Sequence, residues 1–205
     1  MATKGQLDFW FAIGSTYTYL SVMRIEDAAK ASGVSIRWKP FSLRTLTREM
    51  NNVPFATKPF KASYMWRDIE RRAARHGLQV RVPAPYPLKE FDLANRIALV
   101  GVHEGWCSDY VRATYRRWFE HSQEPGIEPN LSDSLNESKQ DSQRVVAKAN
   151  TDEIIAGYNE GTDEARKLGI FGAPSFVTRG EIFWGDDRLE DAISWSLDGR
   201  VERAP

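Results

Sequence analysis

The order of hydrophobic patterns along this 205-residue chain predicts an α/β fold built from two sheet-forming halves with an all-helical segment inserted between them. Three observations carry that expectation. An apolar run, Leu7 to Ile13, ends at Gly14 and reads as a buried strand. A second strand pattern follows one helix later, at Val34 to Phe41. After Gly169 two short β-rich segments return and precede a last helix. A β-α-β unit of this length requires parallel strands joined by a crossover. Neither half alone covers both faces of a sheet, so the two must meet in space. The expected division is residues 1–42 with 151–205 for the sheet domain, and 43–150 for the helical insertion.

The elements follow in order. Thr16 to Ser32 reads as one helix with Val22, Ile25 and Ala29 on a face and Gly33 as its stop. Asn51 to Pro59 carries two prolines and reads as a loop. From Lys61 onward Met65, Ile69 and Ala73 recur at helical spacing, and Gly77 closes the segment. Val82 to Pro87 is a proline-rich connector. Leu93, Ile97 and Val100 mark another helix, and Cys107 to His121 one more. Gln123 to Asn136 is polar and reads as a loop with at most one helical turn. Ser142 to Ala149 and Asp152 to Leu168 are helical, the latter interrupted near Gly161. Ser175 to Thr178 and Glu181 to Trp184, separated by Arg179-Gly180, form a hairpin. Asp187 to Leu197 is the final helix.

Bulk properties exclude several classes. Lys plus Arg and Asp plus Glu both number 28, so no net field recruits nucleic acid or a membrane surface. The single cysteine, Cys107, forms no intrachain disulfide and belongs to no metal-ligand spacing; it reads as a small buried apolar residue. Met1 to Gln6 lacks the apolar stretch of a secretory signal, so a cytoplasmic protein is expected. The runs Arg67 to Arg72 and Arg112 to Arg117 read as solvated helix faces with i,i+4 pairing.

The order β-α-β, helices, β-β-α is that of a thioredoxin-like fold with a helical insertion. In such proteins a reactive cysteine stands where the first strand gives way to a helix. Here Ser15 occupies that point and no C-x-x-C exists anywhere, which excludes a dithiol oxidoreductase. A helix start stabilises anions, so the position suits holding another molecule's thiolate. Serine is also a favoured plain N-cap, and the position alone leaves both readings open.

Four blocks add a resemblance. Ser15, Tyr17 and Tyr19-Leu20 resemble the S-P-Y-x-[YW]-L start of the 2-hydroxychromene-2-carboxylate isomerases and the kappa-class glutathione transferases. Asn52-Val53-Pro54 with Lys61-Ala62-Ser63-Tyr64-Met65 resembles their N-x-P…K-G/A-x-Y-M stretch. Gly169 to Val177 resembles G-V-F-G-V-P-T-F-V, and Trp184 to Glu190 resembles F-G-S-D-R-L-E. The blocks span nearly the whole chain. Two positions depart from the pattern. Thr16 replaces a proline, restoring an N–H. Asp186 replaces a serine, adding a negative charge.

The resemblance implies a glutathione-dependent isomerase of 2-hydroxychromene-2-carboxylate or a related unsaturated keto acid, active as a homodimer. Ser15 would donate to the glutathione sulfur and favour its thiolate. Ala173, before a cis Pro174, would pair with the cysteinyl part like a strand. Asn52 and Lys61 would hold the glycyl carboxylate end, and Asp186 and Asp187 would face the glutamyl end. Tyr17, Phe41, Tyr64 and Tyr86 would line a site for an aromatic substrate. Each has an ordinary structural alternative: a surface asparagine or lysine, a helix cap, a core aromatic. A transferase that consumes glutathione, and a non-catalytic binding module on the same fold, are the competing functions.

Overall fold

The computed structural model describes residues 5–52, 55 and 58–201. Its centre is a four-stranded sheet in the order β2-β1-β3-β4. Strand β1 (Gly5–Phe11) runs parallel to β2 (Val34–Pro40), with Phe9 opposite Trp38. Strand β3 (Ser175–Thr178) runs antiparallel to β1, with Phe9 opposite Phe176, and pairs with β4 (Glu181–Trp184) as a hairpin. The sequence-predicted meeting of the two halves is therefore the β1–β3 ladder.

Alternation along β1 divides the core. Leu7, Phe9 and Phe11 belong to a cluster with Ile25, Ala29, Phe176, Leu189 and Ala192. Trp10 turns the other way, into a smaller cluster with Phe41, Leu46, Ala165 and Ile170. This is what a strand buried on both faces requires. Asp8 shares the Trp10 side and is matched by the guanidinium of its register partner Arg37, whose Nη2 lies 2.7 Å from Oδ2.

Several helices begin and end as their sequence signals direct. Helix α6 (Cys107–His121), α8 (Ser142–Ala149) and the β3–β4 hairpin have the expected bounds. The turn residues Arg179 and Gly180 both have positive φ, which suits a tight hairpin. Arg179 then reaches the last carbonyls of α10 (Leu189–Asp198), with Nη2 2.9 Å from Leu197 O.

Other elements differ from expectation. The single helix expected over 16–32 is two, α1 (Thr18–Val22) and α2 (Ile25–Ser32), broken at Met23–Arg24. Arg24 leaves helical geometry at φ −122° and folds its side chain back onto Leu20 O. Helix α3 (Leu43–Glu49) was not anticipated; Ser42 caps it and Leu43 and Leu46 are its buried contacts. Helix α7 (Asn130–Glu137) replaces the expected polar loop. Its polar residues are inside: Asn130 Nδ2 donates to Thr114 O and Gln123 O, and Leu131 and Leu135 pack beneath. Helix α9 (Asp152–Leu168) is continuous. Gly161 does not interrupt it; a Cβ there would lie 3.3 Å from Pro40 O, so the glycine permits close approach to β2. The remaining helices are α4 (Pro59–Arg75) and α5 (Phe91–Glu104). Among the described residues no helix is long and apolar enough to cross a membrane.

Candidate active site

Strand β1 ends at Phe11 and α1 begins only at Thr18, so Ser15 stands in a tight loop rather than at a helix start. Turn bonds shape the loop: Ser15 N donates to Ala12 O at 2.9 Å and Tyr19 N to Thr16 O at 3.3 Å. The anion-holding capacity expected of a helix N-terminus therefore falls on the Ser15 side chain itself.

Residues from the helical segment fix this loop. Asn95 of α5 is fully buried and makes three hydrogen bonds: it accepts from Ile13 N at 2.7 Å and donates to Ile13 O and Phe91 O at 2.9 Å each. The Tyr115 hydroxyl of α6 lies 2.8 Å from Ala12 O and 3.0 Å from Ser15 O, sharing one proton between them. Burial raises the Tyr115 pKa and keeps that proton in place. Gly14 has φ +121° and faces the Phe91 ring, which a Cβ would meet at 2.1 Å. Only glycine suits both conditions.

The Ser15 hydroxyl donates to Ala173 O at 2.7 Å. The Ala173–Pro174 peptide is cis, as expected. The carbonyl expected to be open to a ligand is thus held by Ser15, a correction to the sequence reading. The amide N–H of Ala173 has no partner among the described residues.

A cavity of about 300 Å³ adjoins this contact, lined by Tyr17, Asp68, Arg72, Ala173, Pro174 and the stretch from Trp184 to Asp187. The Tyr17 hydroxyl donates to Asp68 Oδ2 at 3.1 Å; burial, then the neighbouring carboxylate, raises its pKa and keeps it protonated. Asp186 is 3 % exposed and accepts from Arg72 Nε at 2.9 Å and Nη2 at 2.7 Å. Burial raises the Asp186 pKa, opposed by the Arg72 bonds. For Arg72 the same contacts overcome burial and raise its pKa. The Trp184 indole packs over Gly172, where a Cβ would stand 2.3 Å from Nε1, and meets Phe171 at a centroid distance of 4.8 Å.

The structure thus gathers Ser15, Tyr17, Ala173, Pro174, Asp186 and Asp187. The others do not line this cavity. Phe41 has no exposed surface and packs edge-on to Trp10, so it is core and not a substrate contact, a correction that follows from its complete burial. Tyr64 is 61 % exposed on α4, beside Arg71. Tyr86 packs edge-on to Trp66 and Phe55. Lys61 is exposed, with Nζ 5.8 Å from the Phe55 ring. Asn52 is exposed and its N–H donates to Thr47 O; Val53 and Pro54 of its block lie outside the described residues. Thr16 uses its hydroxyl toward Met65 Sδ at 3.0 Å.

Sequence reasoning missed Asn95, Tyr115, Asp68 and Arg72. The last two sit in a run read as a solvated face, and that reading is corrected for them. The signal was present: they flank the buried Met65–Ile69–Ala73 stripe of α4, so they share its inward side.

The chain matches the DsbA-like thioredoxin domain model over residues 6–193. It belongs to that family. Among its relatives, a 2-hydroxychromene-2-carboxylate isomerase of Sphingobium xenophagum is 25 % identical over 94 % of this chain and 98 % of its own. Glutathione S-transferase kappa 2 of Caenorhabditis elegans is 24 % identical over 92 % of this chain and 90 % of its own. A crystallised 2-hydroxychromene-2-carboxylate isomerase superposes with a TM-score of 0.80 at 23 % identity, covering 90 % of each chain. This family member keeps the fold with a serine at position 15 and a single cysteine in its whole sequence, Cys107, which is buried.

Proposed function

We propose that the protein is a glutathione-dependent isomerase acting on 2-hydroxychromene-2-carboxylate or a related unsaturated aromatic keto acid. The observation that carries the reading is the Ser15 hydroxyl, held 2.7 Å from the carbonyl that precedes cis Pro174, at the edge of a cavity lined by Arg72 and three aspartates. Relatives named as such isomerases, covering nearly the whole chain at about 25 % identity, support the substrate class.

The residues fit the cofactor. Ala173 presents an N–H that has no partner among the described residues and suits an extended peptide. Asp187 offers a partly exposed carboxylate to an ammonium, and Ser15 a hydroxyl to a sulfur. Glutathione, when bound, supplies the nucleophilic sulfur of the reaction. Ser15 then turns its proton from Ala173 O to that sulfur, and this charge-assisted hydrogen bond favours the thiolate near neutral pH. Releasing Ala173 O at the same moment frees it to pair with the peptide, so one rotation readies both contacts. The loop held by Asn95 and Tyr115 fixes where Ser15 stands, which limits the reorganisation left to the reacting state.

The test is turnover of the chromene-carboxylate with purified protein and substoichiometric glutathione. Catalysis with the thiol pool unchanged supports the isomerase. Stoichiometric loss of thiol with an aryl halide and no isomerisation would establish the transferase instead. Absence of glutathione binding would leave only the binding-module reading.

A further inference from the structure

Asp186 adds a negative charge to a cavity wall already bearing Asp68 and Asp187, yet its carboxylate does not face the cavity alone. Both hydrogen bonds it accepts from side chains come from Arg72, through Nε and Nη2, and both go to the same oxygen, Oδ2. Its backbone carbonyl is held by Arg24 Nη2 at 3.0 Å. With Asp186 nearly completely buried, the ion pair is a fixed element of the wall rather than a surface contact. Arg72 lines the cavity, and its remaining nitrogen, Nη1, has no partner among the described residues. The planar guanidinium is clamped along one edge, which leaves its other edge directed by geometry rather than by chance.

The two remaining carboxylates differ. Asp68 accepts from Tyr17 and Arg71 and is the more buried; Asp187 accepts from Arg188 Nη2 at 2.8 Å and is the more exposed. One wall of the cavity thus offers a guanidinium edge, and another a carboxylate. That pairing suits a zwitterionic α-amino acid group, carboxylate to the arginine and ammonium to the aspartate.

We infer that Arg72 receives the α-carboxylate of the glutamyl end of glutathione, and that Asp186 is a positioning residue that aims it. The inference rests on the glutathione reading above. It makes Asp186 neither a ligand of the ammonium nor a repeller of the carboxylate: the acid and Arg72 form one unit, a cation delivered by α4 to the wall that carries Asp186 and Asp187.

The experiment is calorimetric titration of the wild-type protein with glutathione and with two analogues. In γ-aminobutyryl-cysteinylglycine the α-carboxylate is removed; in glutaryl-cysteinylglycine the α-amino group is removed. Wild type is expected to bind the decarboxylated analogue roughly 10- to 100-fold more weakly than glutathione. Arg72→Met should bind the two alike, while still losing affinity for the deaminated analogue. Asp186→Asn should shrink the carboxylate discrimination part-way, and Arg72→Lys should restore part of it. A purely structural Arg72 would lower the melting temperature of Arg72→Met and leave the ratio of the two affinities at its wild-type value. Equal wild-type affinity for glutathione and its decarboxylated analogue overturns the inference while the glutathione reading stands. No wild-type binding of glutathione overturns both. The central comparison uses unmodified protein, so a poorly folding variant does not blunt it.

Discussion

Two concave regions of the molecule invite a ligand, and they differ in what their polar groups are already doing. The larger, about 680 Å³, lies between β2 and helices α5, α6 and α9, and reaches no atom of Ser15 or Pro174. Three of its charged side chains are engaged: Lys39 with Glu164 at 3.0 Å, and Arg37 with Asp8. Lys39 also lies over the Trp10 ring. The smaller, about 300 Å³, adjoins the Ser15 hydroxyl and carries an Ala173 N–H and an Arg72 Nη1 that have no partner among the described residues. Free hydrogen-bonding capacity, rather than volume, favours the smaller cavity as the proposed site: the Ala173 N–H and one edge of Arg72 can meet a ligand without giving up a partner among the described residues, and only Ser15 must exchange one.

Substitutions can break that comparison. The largest effect is expected at Ser15. Ser15→Ala should lower kcat about 10²- to 10³-fold, the magnitude of losing one donor to a developing anion, with glutathione affinity changed far less. Wild-type turnover in that variant would remove the smaller cavity from consideration. Next is Asn95→Ala, which strands the Ile13 N–H and carbonyl in a buried setting. It should cost about 3 kcal/mol and lower the melting temperature by roughly 6–12 °C. An unchanged melt would mean the loop holds itself. Tyr115→Phe removes one shared proton and should cost about 1–2 kcal/mol, with a measurable fall in kcat as Ser15 loses its support.

How far these residues could be read from the sequence follows from their separations. Ser175 to Thr178 and Glu181 to Trp184 are legible because they are bounded by turn residues and pair with each other. Cys107 to His121 is bracketed by its own stop signals. Asn95 reaches Ile13 across 82 positions, Tyr115 reaches Ser15 across 100, and Arg72 reaches Asp186 across 114. No local pattern records such pairings. Helix α7 escaped for a related reason: its inward residues are polar and are satisfied by Thr114 and Gln123, so the periodic apolar signal is thin. The structure brings Ser15, Pro174 and Asp187 of the four blocks to one place, whereas Phe41 is core, and residue type alone does not distinguish core from cavity.

A smaller effect concerns a region away from both cavities. Glu104 at the end of α5 accepts from Arg144 and Lys148 of α8, and those bonds lower its pKa from 4.5 to about 2. A depressed carboxylate stabilises the fold above its unfolded pKa and ceases to as pH falls through the folded one. Glu104→Gln should therefore reduce the melting temperature slightly near neutrality and flatten its decline between pH 4.5 and about 2. Parallel pH profiles for both proteins would show that this cluster contributes nothing. The smallest effect is expected at the larger cavity: Lys39→Gln should shift stability by less than about 1 kcal/mol and leave turnover unchanged. A marked loss of turnover there would reverse the comparison.

The tethers from Asn95 and Tyr115 to the Ser15 loop have a consequence for how such proteins can diversify. The helical segment is not a removable cassette. Two of its side chains hold the loop that carries Ser15, so transplanting the segment from a relative would carry over that relative's loop geometry. The positions equivalent to Asn95 and Tyr115 would have to travel unchanged, and a chimera that omits them should fold its sheet while misplacing its serine.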